Sequence, residues 1–230
     1  MIGRSRLVVV LALGLALCVT GQAGVVLSEN FDDVSTITGW VVVNNSTSGG
    51  PRTSWFQGEP GVFTSQSGAP NSYVAANYLN AYGNGDVSNW AITPVLSVKN
   101  GAEITFYTRS EGVFPGDTLD VRLGIGSGTN VGSTTTSVGD FTTVLATIGG
   151  GSNYPTVWTK YTIMITGLSG ITDIRLALRY WVTDTSVNGD YIGIDTLQVT
   201  DGIPEPSTVA FALSGLAVLL LRRLRAARRG

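Results

Sequence analysis

The sequence has no histidine and a single cysteine, and only 13% of its 230 residues are charged. Without histidine, Ser-His-Asp and Cys-His catalysis, the usual zinc sites and the commonest general base at neutral pH are all missing. The lone cysteine, Cys18, falls within an apolar run near the N-terminus. The rest of the chain therefore has neither thiol nor disulfide, and its stability must come from packing or bound ions. Basic residues are scarce through the middle. Of 14, two lie in the first six positions and five in the last nine, which leaves seven against 16 acidic residues and a net of −9 for the stretch between the basic ends. A region this acidic repels phosphate backbones and argues against nucleic acid as a partner.

What the sequence does have is glycine, 30 residues of it, with hardly any sustained helical charge pattern. That composition favours a turn-rich β domain. Apolar and polar residues alternate, as expected of strands with one buried face, along Ile104, Phe106 and Thr108, along Leu119, Val121, Leu123 and Ile125, along Tyr161, Ile163 and Ile165, and along Ile174, Leu176, Leu178 and Tyr180. Arg175 and Arg179 fall on the opposite face of the last of these. Further strands are predicted near Val25 to Phe31, Tyr73 to Tyr78, Phe141 to Ile148 and Tyr191 to Thr200, separated by turn clusters such as Asn84-Gly85-Asp86 and Asn188-Gly189-Asp190. This many short strands calls for two packed sheets, an all-β sandwich of jelly-roll type occupying residues 24–202. The Thr/Ser/Gly stretch Gly126 to Val138 reads as a flexible loop and a candidate O-glycan acceptor.

The two ends read differently. Arg4 and Arg6 precede an apolar run from Leu7 to Val19 and then small and polar residues, the order of a secretory signal peptide cut after Ala23 by signal peptidase. At the other end, Pro204-Glu205-Pro206 leads into an apolar segment predicted as a helix over 208–221, followed by Arg222, Arg223, Arg225, Arg228 and Arg229. The prolines lack backbone donors and bias the chain away from helix before them, so they set the tail off as a module of its own, 203–230. A helix from Ser207 to Leu224 would rise roughly 27 Å, just short of the hydrocarbon core, with arginines snorkelling to make up the difference. The plain reading is a C-terminal membrane anchor with its end in the cytoplasm. The triplet, short apolar helix and terminal arginine cluster together resemble the PEP-CTERM sorting signal. That resemblance implies removal by an exosortase-type membrane protease, a transient stay in the inner membrane, and release to the cell surface or an exopolysaccharide matrix.

The body carries a second resemblance. Glu29-Asn30-Phe31-Asp32, then Gly39-Trp40, then Ser88-Asn89-Trp90-Ala91-Ile92-Thr93-Pro94, and finally Tyr191-Ile192-Gly193-Ile194-Asp195-Thr196-Leu197-Gln198-Val199 follow one another in the order found in the choice-of-anchor J domain. That family is a relative of the cleaved adhesin and MAM-like jelly rolls. The resemblance implies a fold and a location, and names no ligand. It also implies that an acid on the first strand and an aspartate on the last can hold a structural Ca²⁺, which here would be Glu29, with Asp32, and Asp195.

Other candidate sites come from the residues directly. Asp184-x-Ser186-x-Asn188-Gly189, with Asp195 eleven residues after Asp184, has the oxygen-ligand spacing of an EF-hand calcium loop. Its flanks are strand-like where an EF-hand needs helices, so a hairpin turn is the alternative. Glycosidase chemistry needs two carboxylates at a fixed separation, and 16 acids make some such pair inevitable. Trp55, beside Phe56 in a Gly/Pro-rich segment, is the tryptophan expected to stack on a sugar. The sequence thus points to a non-catalytic exported surface or matrix protein, with a carbohydrate-binding module acting on exopolysaccharide as the alternative.

Overall fold

The computed structural model describes residues 23–47, 54–112, 116–151 and 153–202. The tail, with its sorting motif, apolar helix and arginines, lies outside them, as does the leader except for its last residue. Twelve strands are present among the described residues: β1 Val25–Glu29, β2 Val41–Asn44, β3 Phe56–Gln57, β4 Val74–Asn77, β5 Val87–Ile92, β6 Leu96–Val98, β7 Glu103–Ser110, β8 Thr118–Ile125, β9 Thr143–Gly149, β10 Thr159–Met164, β11 Thr172–Val182 and β12 Tyr191–Thr200. A 3₁₀ turn at Tyr78–Asn80 is the one helical element with them, and no described helix is long and apolar enough to cross a membrane.

The strands form two antiparallel sheets. In the first the order is β10-β7-β12-β4-β3, with β1 pairing the C-terminal half of β12. In the second it is β2-β5-β11-β8-β9, with β6 pairing the start of β11. The main core lies between them. Ile104 and Phe106 of β7, Ile192 and Ile194 of β12, Leu119 and Val121 of β8, and Ile174, Leu176, Leu178 and Tyr180 of β11 all belong to it and are at most 1% exposed. Along β7 buried and half-buried residues alternate strictly, as the sequence pattern requires.

The outward faces depart from that pattern. On the first sheet Ala75 and Tyr191, whose neighbours Val74, Ala76 and Ile192 face the main core, join Phe63 and Tyr73 in a second apolar cluster. The segment 58–72 supplies its lid. On the second sheet Trp90, Ile92 and Ala177 form a third cluster with Val131 and Phe141. Segment 126–141 is therefore an ordered cover, with Phe141 fully buried and Val131 3% exposed, rather than the flexible loop its composition suggests. Its return depends on Gly139 (φ +49°), where a Cβ would lie 2.0 Å from the Asn130 carbonyl oxygen. Strand β9 begins at Thr143, later than expected, because Phe141 turns in to fill the cover.

The arginines expected to face water are caught under this cover. Arg179 is 4% exposed. Its Nε donates to Ser88 Oγ (3.2 Å), one Nη donates to the Thr135 carbonyl on the cover, and its guanidinium lies over the Trp90 and Trp181 rings. Asp120, which accepts from Arg122 Nε (3.1 Å) and Thr147 Oγ1 (2.7 Å), supplies the counter-charge 3.7 Å from Arg179. Arg175 Nε donates to Ser127 O (3.1 Å) and Arg122 Nη1 to Phe141 O (2.9 Å), so three arginines fasten the cover through its own carbonyls.

Candidate functional site

Strand β12 organises the candidate residues, because they lie along it and beyond its N-terminal end. At its middle, Asp195 is fully buried beside a bulge at which pairing with β7 shifts register and Thr196 takes φ +52°. Asp195 Oδ2 accepts the N–H groups of Gln66 (2.8 Å) and Ser67 (3.0 Å), and Oδ1 accepts the Thr196 hydroxyl (3.1 Å). Burial pushes this carboxyl above the usual range, while those N–H groups pull it back. Strand β1 brings Glu29 opposite Leu197, two residues along, where Oε1 accepts Phe31 N–H (2.8 Å) and supports the left-handed backbone of Phe31 (φ +53°). Asp32 Oδ1 borders the same turn, 3.3 Å from where a Cβ on Gly68 would stand.

Asp195 and Asp32 thus border the 66–68 turn, while Glu29 lies on β1 opposite Leu197. Protein donors account for the Asp195 carboxylate and for Glu29 Oε1 without a metal. Among the described residues no three acidic, cysteine or histidine side chains converge closely enough to hold an ion between them.

Asp184 and Asn188 lie in the turn between β11 and β12. Asp184 Oδ1 accepts both the N–H and the hydroxyl of Ser186, which hold its carboxyl below the usual range. Asn188 Nδ2 donates to Thr183 O (2.8 Å) and its N–H to Asp184 O (3.1 Å). The segment closes on itself as a turn, while the carboxylate at position twelve of the spacing, Asp195, is committed to the 66–67 backbone. Trp55 is 8% exposed and packs into the main core, so it presents no open face to a ligand. Burial in the main core overturns the exposure that its Gly/Pro-rich surroundings suggested.

The exposed aromatics are elsewhere. Tyr78 (43%), Leu79 (47%) and Tyr82 (52%) project from the 3₁₀ turn at the end of the sandwich where β12 begins, and Tyr78 N–H donates to Asp190 O (3.0 Å). A buried amide network fixes the turn from below. Asn77 and Asn80 cap it reciprocally, Asn89 Nδ2 donates to Asn80 Oδ1 (3.1 Å), Ser54 Oγ to Asn89 Oδ1 (2.7 Å) and Asn44 Nδ2 to Asn80 O (2.8 Å). The adjoining loops are tied in by Thr185 Oγ1 to Gly83 O (2.9 Å) and by Asp184 N–H to Asp86 Oδ1 (2.9 Å). The sequence signal for this patch was two tyrosines in an Asn/Gly-rich turn, Tyr78 to Asp86.

No protein-family model and no curated protein matches the chain. Solved structures do. The K3 cleaved adhesin domain of Lys-gingipain from Porphyromonas gingivalis superposes with a TM-score of 0.55 at 20% identity, covering 79% of this chain and 100% of that one. The K2 domain of the same protein gives 0.53 at 21%, covering 76% and 98%. The likeness is one of fold. It agrees with the adhesin-like, two-sheet body that the order of sequence landmarks implied, and at this identity it transfers no site.

Proposed function

We propose that the chain is a non-catalytic protein exported to the cell surface or extracellular matrix, with a choice-of-anchor J body and a PEP-CTERM tail cut by an exosortase-type protease. The observation that carries this reading is one adhesin-like sandwich with an export leader before it and a proline-bounded, arginine-ended segment after it. The absence of histidine supports a non-catalytic role. Arg222, Arg223, Arg225, Arg228 and Arg229 keep the C-terminus cytoplasmic, because taking several guanidinium groups through hydrocarbon is prohibitively costly. Pro204-Glu205-Pro206 then sits at the outer boundary, within reach of a membrane protease. Mass spectrometry of the mature surface protein from its native host is expected to find no peptide beyond about Pro206. Recovery of the intact Ala210-to-Arg222 segment in mature protein would make the tail an ordinary anchor.

A second reading, a carbohydrate-binding domain acting on exopolysaccharide, is favoured by the tyrosine patch. Tyr78 and Tyr82 are half exposed on a turn that buried amides hold in place, so little ordering is lost when a sugar ring stacks there. On a glycan array the protein is expected to bind a matrix sugar, and Tyr78→Ala and Tyr82→Ala are each expected to weaken that binding about tenfold, the equivalent of ~1.4 kcal/mol. Equal binding by all three proteins would move the sugar contact away from this patch, and no binding at all would remove the second reading.

A further inference from the structure

Two carboxylates near the start of β12 have surroundings unlike those of the other described acids. Asp117, just before β8, is 1% exposed. Its Oδ1 accepts the Tyr180 hydroxyl (2.6 Å) and the N–H of Asp190 (3.0 Å), whereas its Oδ2 is buried with no partner. Asp190 Oδ2 is likewise buried and without a partner. Glu111, on the exposed side, joins them through its N–H bond to the Tyr191 carbonyl (3.0 Å).

Among the described residues the ion pairs are Lys99–Asp201, Arg122–Asp120 and Arg179–Asp120, and none of them involves this group. Each carboxylate raises the cost of ionising its neighbours. Burial, then Glu111 and Asp117, push Asp190 up to about 6, and burial pushes Asp117 up against the pull of Tyr180 and the Asp190 N–H. The two buried carboxylate oxygens without donors leave this group short of positive charge, which a proton or a bound cation can supply.

We propose that Asp117 and Asp190 are the anionic ligands of a calcium-class divalent cation, with Glu111 adding charge at the rim. The donors are oxygens only, which selects a hard ion, and a site drawn from two strand ends suits calcium's tolerant coordination better than magnesium's strict octahedron. Since no three acids converge among the described residues, backbone carbonyls and water complete the shell. The turn with calcium-like spacing packs against this site, for a Cβ on Gly116 would meet Asn188 Cβ at 2.6 Å. Its contribution is Asp190, the acid just past Gly189, in place of Asp184 or Asp195.

The test is calcium titration and thermal unfolding of the full chain, purified in mild detergent, with calcium chloride or with chelator. At calcium about a hundred times Kd the wild type is expected to gain roughly 5–10 °C in Tm. Asp190→Asn is expected to lose that gain, while in chelator it melts no lower than wild type, because a like charge has gone. This variant leaves Asp117 with both of its donors, so folding is preserved. Glu111→Gln is expected to weaken calcium binding several-fold and Asp195→Asn to leave the gain in place. A wild type indifferent to calcium, or a gain that survives in Asp190→Asn, overturns the proposal.

Discussion

Replacing Arg179 with alanine is expected to destabilise the protein by about 3–5 kcal/mol, the cost of leaving one partner of a buried ion pair behind. In a domain of this size that is a fall in Tm of roughly 10 °C or more. Burial lowers the Arg179 pKa to about 10, Asp120 raising it and Arg122 lowering it further, yet the group stays charged at neutral pH. Alanine leaves Asp120 with Arg122 alone, strips the Thr135 carbonyl and Ser88 hydroxyl of a donor, and opens a void against Trp90. Urea unfolding measures the loss, and proteolysis within 126–141 should accelerate with it. Arg179→Lys recovers only part, because an ammonium cannot reach Ser88, Asp120 and Thr135 at once. A loss under about 1 kcal/mol would mean the pair behaves as a surface ion pair.

Tyr73→Ala is expected to cost about as much, 3–5 kcal/mol in order of magnitude, by removing the side chain on which the other cover closes. Tyr73 is fully buried, stacks on Phe63 at 5.0 Å, meets Trp158 edge-on at 5.6 Å, and its hydroxyl reaches Glu59 O and Phe63 O at 2.9 Å each. The ring leaves no room beside Gly58, where a Cβ would lie 2.2 Å from it. Tyr73→Phe separates packing from hydrogen bonding and should cost only about 1–2 kcal/mol, since it removes one hydroxyl proton, leaves the Glu59 carbonyl with the Val62 N–H, and keeps the ring. If the two variants unfold at the same denaturant concentration, the hydroxyl rather than the ring holds segment 58–72.

Strands were legible where apolar and polar residues alternate in sequence, which Val41–Asn44 does not, although one of its faces is exposed. Glu103–Ser110 alternates along its whole length, and Tyr191–Thr200 appears with the bounds its pattern predicts. Val87–Ile92 has all six residues buried, so it shows no alternation, and only its position as a Trp-containing landmark was visible. The two-residue β3 and three-residue β6 are too short for any period to register. Arg175 and Arg179 occupied the expected face, but local sequence cannot say that a segment from before Phe141 folds back over them. The Asp117–Asp190 pair joins residues 73 apart and carries no motif. Tyr78 and Tyr82 stand in an Asn/Gly-rich turn with no pattern that marks a sugar contact, whereas Trp55, which the sequence points to, is 8% exposed.

The pairing of Val25 with Thr200 fixes how the body would be displayed. The first and last strand residues of the body lie at the same end of β12, and the tyrosine turn and the acidic pair lie beyond its other end, where Asp190 adjoins Tyr78. Ten residues of strand measure about 33 Å. The tyrosine turn therefore stands roughly that far along the sandwich from Thr200, with the sheet itself as the spacer.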